Sequence, residues 1–155
     1  MTKRLFPLFI DLSKVKTVIL GAGAVSYRKA KRILEYGGND VTIISPEIRE
    51  LQFQSLKLDY PNLTIELRFA NFEQDFRQCA LVIAATDDII FNQQVVDYCQ
   101  QNSILVNNAT SKLEMSASFA CSLELTENTI AIHSNGNPKQ SLALREQISS
   151  LLNTD

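Results

Sequence analysis

A chain of 155 residues is long enough to bury the core of one domain with a small appendage. Its 45% hydrophobic and 21% charged content is that of an ordinary globular protein, and a net charge of -2 gives no electrostatic basis for a nucleic-acid or anionic-membrane partner. Apolar runs such as Thr17 to Leu20 and Leu81 to Ala85 are too short to span a bilayer, and Met1 to Asp11 lacks the apolar stretch of a secretory leader. Cys79, Cys99 and Cys121 show no CxxC spacing, so they read as reduced thiols with buried structural roles in a cytoplasmic protein.

In chain order, Val15 to Leu20 (VKTVIL) is a short β-branched run that predicts a strand ending on Gly21. Ala24 to Tyr36 places Val25, Ala30, Ile33 and Leu34 on one helical face, with Gly37-Gly38 as its stop. Val41 to Ser45 predicts a second strand, and Pro46 reads as the first residue of a helix, where its missing donor is harmless. The stretch around Gln54 to Asn62 reads as a loop. Alternation over Leu63, Ile65, Leu67 and Phe69 predicts a third strand, and Leu81 to Ala85 a fully buried fourth. Asp87-Asp88 then cap a helix running to about Gln101, and Ile104 to Val106 supply a fifth strand. Strands alternating with single helices imply an α/β, doubly wound parallel sheet. After Asn107 the pattern changes: a polar stretch to Ser118 precedes two strands, at about Ser118 to Leu125 and Thr129 to Ser134, and a closing helix over Gln140 to Leu152. The expected division is a sheet domain over 1–108 and a small strand-strand-helix extension over 109–155.

The chemistry starts at Gly21-Ala22-Gly23-Ala24-Val25-Ser26. A dinucleotide pyrophosphate must approach main-chain donors closely: Gly21 allows a tight strand-to-helix turn, and Gly23 removes the β-carbon that would obstruct the phosphates. The helix beginning at Ala24 then offers unpaired N–H groups and the positive end of its dipole. Ser26 departs from the glycine or alanine of the usual third position. The competing reading is a plain turn whose glycines serve only helix-sheet packing. The second strand ends Ser45-Pro46-Glu47, without an acid squarely placed for the adenosine ribose, while Glu47 and Arg49 stand near. NAD is preferred over NADP on this pattern.

Leu5 to Leu12 (LFPLFIDL), Gly21 to Ala30 (GAGAVSYRKA), Val41 to Glu47 (VTIISPE), Val82 to Asp88 (VIAATDD), Asn92, Ile104 to Asn107 (ILVN) and Ile130 to Gly136 (IAIHSNG) occur in this order. As a set they resemble the precorrin-2 dehydrogenase and sirohydrochlorin ferrochelatase family, the dehydrogenase module of siroheme synthase, from Leu5 to about Leu152. The resemblance implies a Rossmann-type fold, NAD as cofactor, oxidation of precorrin-2 to sirohydrochlorin, and a homodimer joined largely by the strands after the sheet. It also implies that Gly21, Gly23, Ala24 and Val25 cradle the pyrophosphate, with Pro46 and Glu47 beside the adenosine. Thr86, Asp87 and Asn107, at carboxyl ends of the fourth and fifth strands, are expected to line the cofactor crevice. Asp87 also reads as a helix N-cap, and the two roles are compatible.

Departures from the family pattern matter as much. Where many members carry Asn-Val-Val-Asp after the fifth strand, with the aspartate credited with proton handling, this chain reads Asn107-Asn108-Ala109-Thr110. Thr110 therefore occupies the catalytic position, and a hydroxyl is no general base at neutral pH. Hydride transfer, which rests on positioning, is expected to persist, while iron insertion, which must remove two macrocycle protons, is expected to be weak or absent. Glu114 is the nearby carboxylate. The family's Phe-x-x-Pro-Ala and Gly-x-Ser-Pro segments become Phe119-Ala120-Cys121-Ser122 and Gly136-Asn137-Pro138-Lys139-Gln140-Ser141. Lys112, Lys139 and Arg145 read either as partners of substrate carboxylates or as solvated surface. His133 reads as a structural histidine, and no metal site is expected. Two other classes stay open: a non-catalytic NAD-sensing module, and a different reductase of tetrapyrrole synthesis or a small NADP enzyme.

Overall fold

Five short segments rich in β-branched and aliphatic residues form one parallel sheet: Lys16–Leu20 (β1), Asp40–Ser45 (β2), Thr64–Leu67 (β3), Cys79–Ala84 (β4) and Leu105–Asn108 (β5). Their order is β3-β2-β1-β4-β5, and every pairing is parallel. Helices Ala24–Glu35 (α1), Phe53–Asp59 (α2), Phe72–Asp75 (α3) and Ile89–Gln101 (α4) connect them. The computed structural model describes residues 5–111 and 114–152. It divides into two compact units, one of Ile10–Ala117 and one of Met1–Phe9 with Ser118–Asp155.

Both faces of the central strands are buried, which is why they read as continuous apolar runs rather than as alternation. Val18, Leu20, Val82, Ala84 and Val106 pack with Val95, Val96 and Cys99 of α4. Phe72 extends this layer, with its ring 5.2 Å from Phe76, 5.6 Å from Phe91 and 5.4 Å from Tyr98. Phe53 of α2 is wholly buried and meets Tyr27 of α1 edge-on at 5.6 Å.

The strands, α1 and α4 lie where periodicity put them, to within a few residues at their ends. The loop after β2 is different. Pro46 does not start a helix, because the chain is stitched to the glycine turn: Arg49 N and Glu50 N both donate to Ala22 O, at 3.0 and 3.1 Å. The Ser45 hydroxyl also donates to Glu47 O, at 2.8 Å. The helix forms later, at Phe53–Asp59, inside the stretch expected to be a loop, because Phe53 and Leu56 bury on one face. The short α3 was not legible either. It is capped by Asn71, whose side chain accepts from Gln74 N. Asp88 rather than Asp87 caps α4, accepting from Phe91 N at 2.9 Å.

The sheet unit runs to Ala117, and Ser116 N and Ala117 N both bond to Val106 O. In the other unit, Cys121–Glu124 (β6) pairs antiparallel with Thr129–Ile132 (β7), and Pro138–Leu152 forms α5. Leu125 N donates to Asn128 O and closes the hairpin. Cys79 and Cys99 are buried, whereas Cys121 is half-buried, so its thiol departs from the expected role. Burial pushes the Cys99 thiol up to about 12 and the Cys79 thiol in the same direction.

Candidate dinucleotide cleft

Strand order reverses between β1, which is followed outward by β2 and β3, and β4, which is followed by β5. At such a switch point the connections leave in opposite directions and open a crevice outside the carboxyl ends. A cleft of about 330 Å³ lies there, lined by Gly21, Ala22 and Gly23 after β1, Ser45, Pro46, Glu47 and Arg49 after β2, and Ala85, Thr86, Asp87 and Asp88 after β4. Arg68, Phe69 and Ala70, beyond β3, and Phe91 of α4 complete the wall.

The two glycines of the turn do different work. Gly21 adopts φ +95, and a β-carbon there would stand 2.5 Å from Ala85 O, so glycine is required for the close approach of the β1 and β4 ends. Gly23 has no neighbouring atom within 4 Å of where its β-carbon would be, and it lines the cleft. It is the N-cap of α1 and makes no side-chain cap. The first intrahelical bond, Tyr27 N to Gly23 O at 2.9 Å, leaves the amides of Ala24, Val25 and Ser26 without a partner within the helix. An uncapped helix start behind a residue without a side chain fits the phosphates of a dinucleotide. Ser26 explains its own departure: it is buried, and its hydroxyl donates to Ala85 O at 3.3 Å, tying α1 to the end of β4.

Six of the expected residues thus come together on the wall: Gly21, Gly23, Pro46, Glu47, Thr86 and Asp87. The side chains of Ala24 and Val25 are exposed outside the lining. Asn107 is buried away from it. Its Nδ2 donates to Met115 Sδ at 3.4 Å and Ala117 O at 2.9 Å, while its Oδ1 is buried without a donor. This side chain holds the segment after β5 rather than the cleft wall.

Thr110 also stands outside the lining but is connected to it. Asn92, fully buried on α4, accepts from the Thr86 hydroxyl at 2.8 Å and donates from Nδ2 to Thr86 O at 2.9 Å. The same Nδ2 donates to the Thr110 hydroxyl at 3.3 Å, and that hydroxyl donates its proton to Asn108 Oδ1 at 2.8 Å. The Thr110 amide bonds to the same oxygen at 3.0 Å. The Thr110 hydroxyl is thus held between Asn92 as donor and Asn108 as acceptor.

Two arginines on the wall were not in the expected set. Arg68 Nη1 and Nη2 donate to Asp75 at 2.9 and 2.6 Å, and Arg68 Nε donates to Glu66 at 2.7 Å. The hydrogen bonds from Arg68 hold the Asp75 carboxyl below the usual carboxylate range against the opposing effect of burial. Arg49 donates to Glu47 at 2.5 Å and to Asp87, and these carboxylates raise its pKa. Their signal in sequence was positional only: both follow a strand whose carboxyl end faces the crevice.

Elsewhere, Ser118 Oγ and His133 Nε2 lie 3.1 Å apart, with Ser118 half-buried and His133 exposed. Lys139 is exposed and Arg145 half-buried, and Lys112 lies outside the described residues. Glu114 is exposed. Among the described residues no group of three or more His, Cys, Asp or Glu side chains is placed to hold a metal, and no helix is long and apolar enough to cross a membrane.

A family model described as putative NAD(P)-binding matches residues 8–120. A siroheme synthase of Buchnera aphidicola is 31% identical over 150 residues, covering 94% of this chain but 30% of that protein. A precorrin-2 dehydrogenase of Bacillus subtilis is 24% identical over 156 residues, covering 97% of this chain and 91% of that protein. The solved structure of SirC, a precorrin-2 dehydrogenase, superposes with a TM-score of 0.76 at 20% identity, over 95% of this chain and 71% of that one, and shows the same fold. The chain spans about a third of the siroheme synthases that it matches.

Proposed function

Because this chain belongs to the putative NAD(P)-binding family, we propose that it oxidises precorrin-2 to sirohydrochlorin with NAD, as a step of siroheme biosynthesis. The observation that carries the reading is the cleft at the switch point, where Gly23 presents no side chain and α1 presents uncapped amides. The relatives' names supply the substrate: siroheme synthases and a precorrin-2 dehydrogenase match nearly the whole chain.

A bound nicotinamide would supply the hydride acceptor for the macrocycle. The chain's own part is to bind and to orient. Gly21 and Gly23 let the backbone approach the pyrophosphate, and the amides of Ala24, Val25 and Ser26 meet its charge. Pro46 and Glu47 border the adenosine side, with Glu47 as the acceptor for a ribose hydroxyl. Thr86 is clamped through its hydroxyl and carbonyl to Asn92, which keeps the end of β4 rigid beside the cleft. Such positioning supports the hydride transfer and is worth several kcal/mol, and the proton lost from the macrocycle with the hydride passes to solvent water. Metal insertion into the macrocycle demands two proton acceptances, and Thr110 supplies none, so chelatase activity is weak or absent.

Exposed Phe6, Leu8 and Phe9, with Leu144, Leu151 and Leu152, support a homodimer formed through the unit that carries β6, β7 and α5. A net charge of -2 offers no electrostatic basis for a nucleic-acid or anionic-membrane partner, and the cytoplasm is the proposed location.

Mixing the protein with NAD and precorrin-2 without oxygen tests the enzyme reading. Growth of the reduced-nicotinamide absorbance, abolished by Gly23→Asp, is the expected result. NAD binding without any turnover would refute it and favour the non-catalytic sensing module, the reading to which the closed hydrogen bonding of Thr110 also points.

A further inference from the structure

Arg49 joins the two lips of the cleft. Its amide is bonded to Ala22 O, which seats it over the glycine turn. From there its guanidinium reaches Glu47 on its own lip and Asp87 on the lip after β4, and all three residues line the cleft. The other cation of the wall, Arg68, is already shared between Asp75 and Glu66 and donates to Phe69 O as well. Each arginine therefore faces two carboxylates, and either group carries a surplus negative charge, to which Asp88 adds.

In doubly wound dinucleotide sites the end of the second strand reads the adenosine ribose: an acid accepts from a 2′-hydroxyl, whereas an arginine receives a 2′-phosphate. Here both residue types stand at that place, bonded to each other. We propose that Glu47, Arg49 and Asp87 are the cofactor discriminator of this cleft, in which the two carboxylates occupy Arg49 and so admit NAD while rejecting NADP. Arg49 is thus a masked receptor for a 2′-phosphate. A dianion brought beside Glu47 and Asp87 meets net repulsion, and it gains the guanidinium only by displacing carboxylates already in place. A ribose hydroxyl meets no such opposition and keeps Glu47 as its acceptor. The inference rests on the dinucleotide reading of the cleft and specifies what selects the cofactor there.

The test is to titrate NAD and NADP separately into the full chain. Three proteins are compared: wild type, Glu47→Gln/Asp87→Asn, and the same double variant with Arg49→Met. The three side chains are well exposed, so folding is not at stake, and melting curves verify this. Wild type is expected to bind NAD at least about tenfold more tightly than NADP. The double variant is expected to gain about tenfold or more in NADP affinity, with NAD weakened severalfold, and Arg49→Met to cancel the NADP gain. A wild-type preference for NADP, an unchanged NADP affinity in the double variant, or a gain that survives Arg49→Met would each overturn the discriminator. If NAD still binds wild type in those cases, the cleft reading survives alone. If neither cofactor binds wild type, both fall.

Discussion

At the carboxyl end of β1, the chain turns on Gly21 and leaves the first amides of α1 without a side-chain cap. At the carboxyl end of β5, the Thr110 hydroxyl bridges two carboxamides, accepting from Asn92 and donating to Asn108. The two places are equivalent in topology, each a strand end facing the crevice side of a parallel sheet. They differ in whether the polar groups are spent. An end that leaves donors unmet is available to a ligand, and an end whose groups satisfy each other is a fastening. Thr110, where the resemblance puts a proton-handling aspartate, is part of a fastening in this chain, while the glycine turn at the start of α1 is open.

The turn itself offers the largest effects. Gly21→Val is expected to destabilise the fold by about 3 kcal/mol or more, since it combines positive φ with a 2.5 Å approach to Ala85 O. Thermal or denaturant unfolding measures it. Gly23→Asp should leave the melting temperature nearly unchanged, because the added side chain enters open space, yet weaken NAD binding about 100-fold by placing a negative charge before the helix amides. Equal damage to stability by both substitutions would show that the second glycine serves packing instead, and would break the contrast.

Beyond β3 lies another fastening, and it has an acid signature. Asp75 is buried, accepts two hydrogen bonds from Arg68 and one from Asn71 N, and has a lowered pKa, chiefly through Arg68. Its folded pKa lies below the unfolded value, so its contribution is fully present above about pH 4 and disappears as pH falls through the folded value. Asp75→Asn should cost about 2 kcal/mol at neutral pH and flatten the acid limb of the stability curve. An acid limb unchanged in the variant would assign that slope to other carboxylates.

At β5, Thr110→Val should cost about 1 kcal/mol by leaving Asn92 Nδ2 and Asn108 Oδ1 short of a partner, with dehydrogenase turnover largely kept. Thr110→Asp is the sharper variant: it puts a carboxylate where the resemblance implies one and is expected to raise iron insertion, followed by siroheme absorbance. Turnover lost in Thr110→Val but rescued by Thr110→Ser would instead make the hydroxyl itself essential.

The effect at α1 is confined to alkaline pH, where burial, with Arg32 and Arg28 nearby, lowers the Lys29 pKa to about 8. Between that value and the unfolded lysine value of about 10.4, the unfolded chain binds more protons, so stability rises with pH across the interval. Lys29→Met should remove that rise, as seen in unfolding midpoints measured from pH 7 to about pH 10.

What was legible in the sequence was what is decided locally. Continuous apolar runs gave the buried parallel strands, and spacing of Ala30, Ile33 and Leu34 gave α1. The pair Gly21 and Gly23 gave the turn, since backbone geometry and unmet amides are properties of a few consecutive residues. The resemblance then supplied the chemistry that such a turn serves. Pro46 misled because a local preference for helix starts yielded to two distant hydrogen bonds onto Ala22 O. Phe53 and Leu56 gave no visible period, yet the core they enter makes α2 a helix. Arg49 with Asp87, and Thr110 with Asn92, are pairs far apart in the chain, and only the folded sheet brings them within hydrogen-bonding reach. The sequence by itself determined the parallel strands, α1, α4 and the glycine turn, because these follow from short-range sterics and periodicity. Tertiary structure alone decided which polar groups are spent on one another and which remain for a ligand, because satisfaction of a hydrogen bond depends on partners that the chain brings from elsewhere.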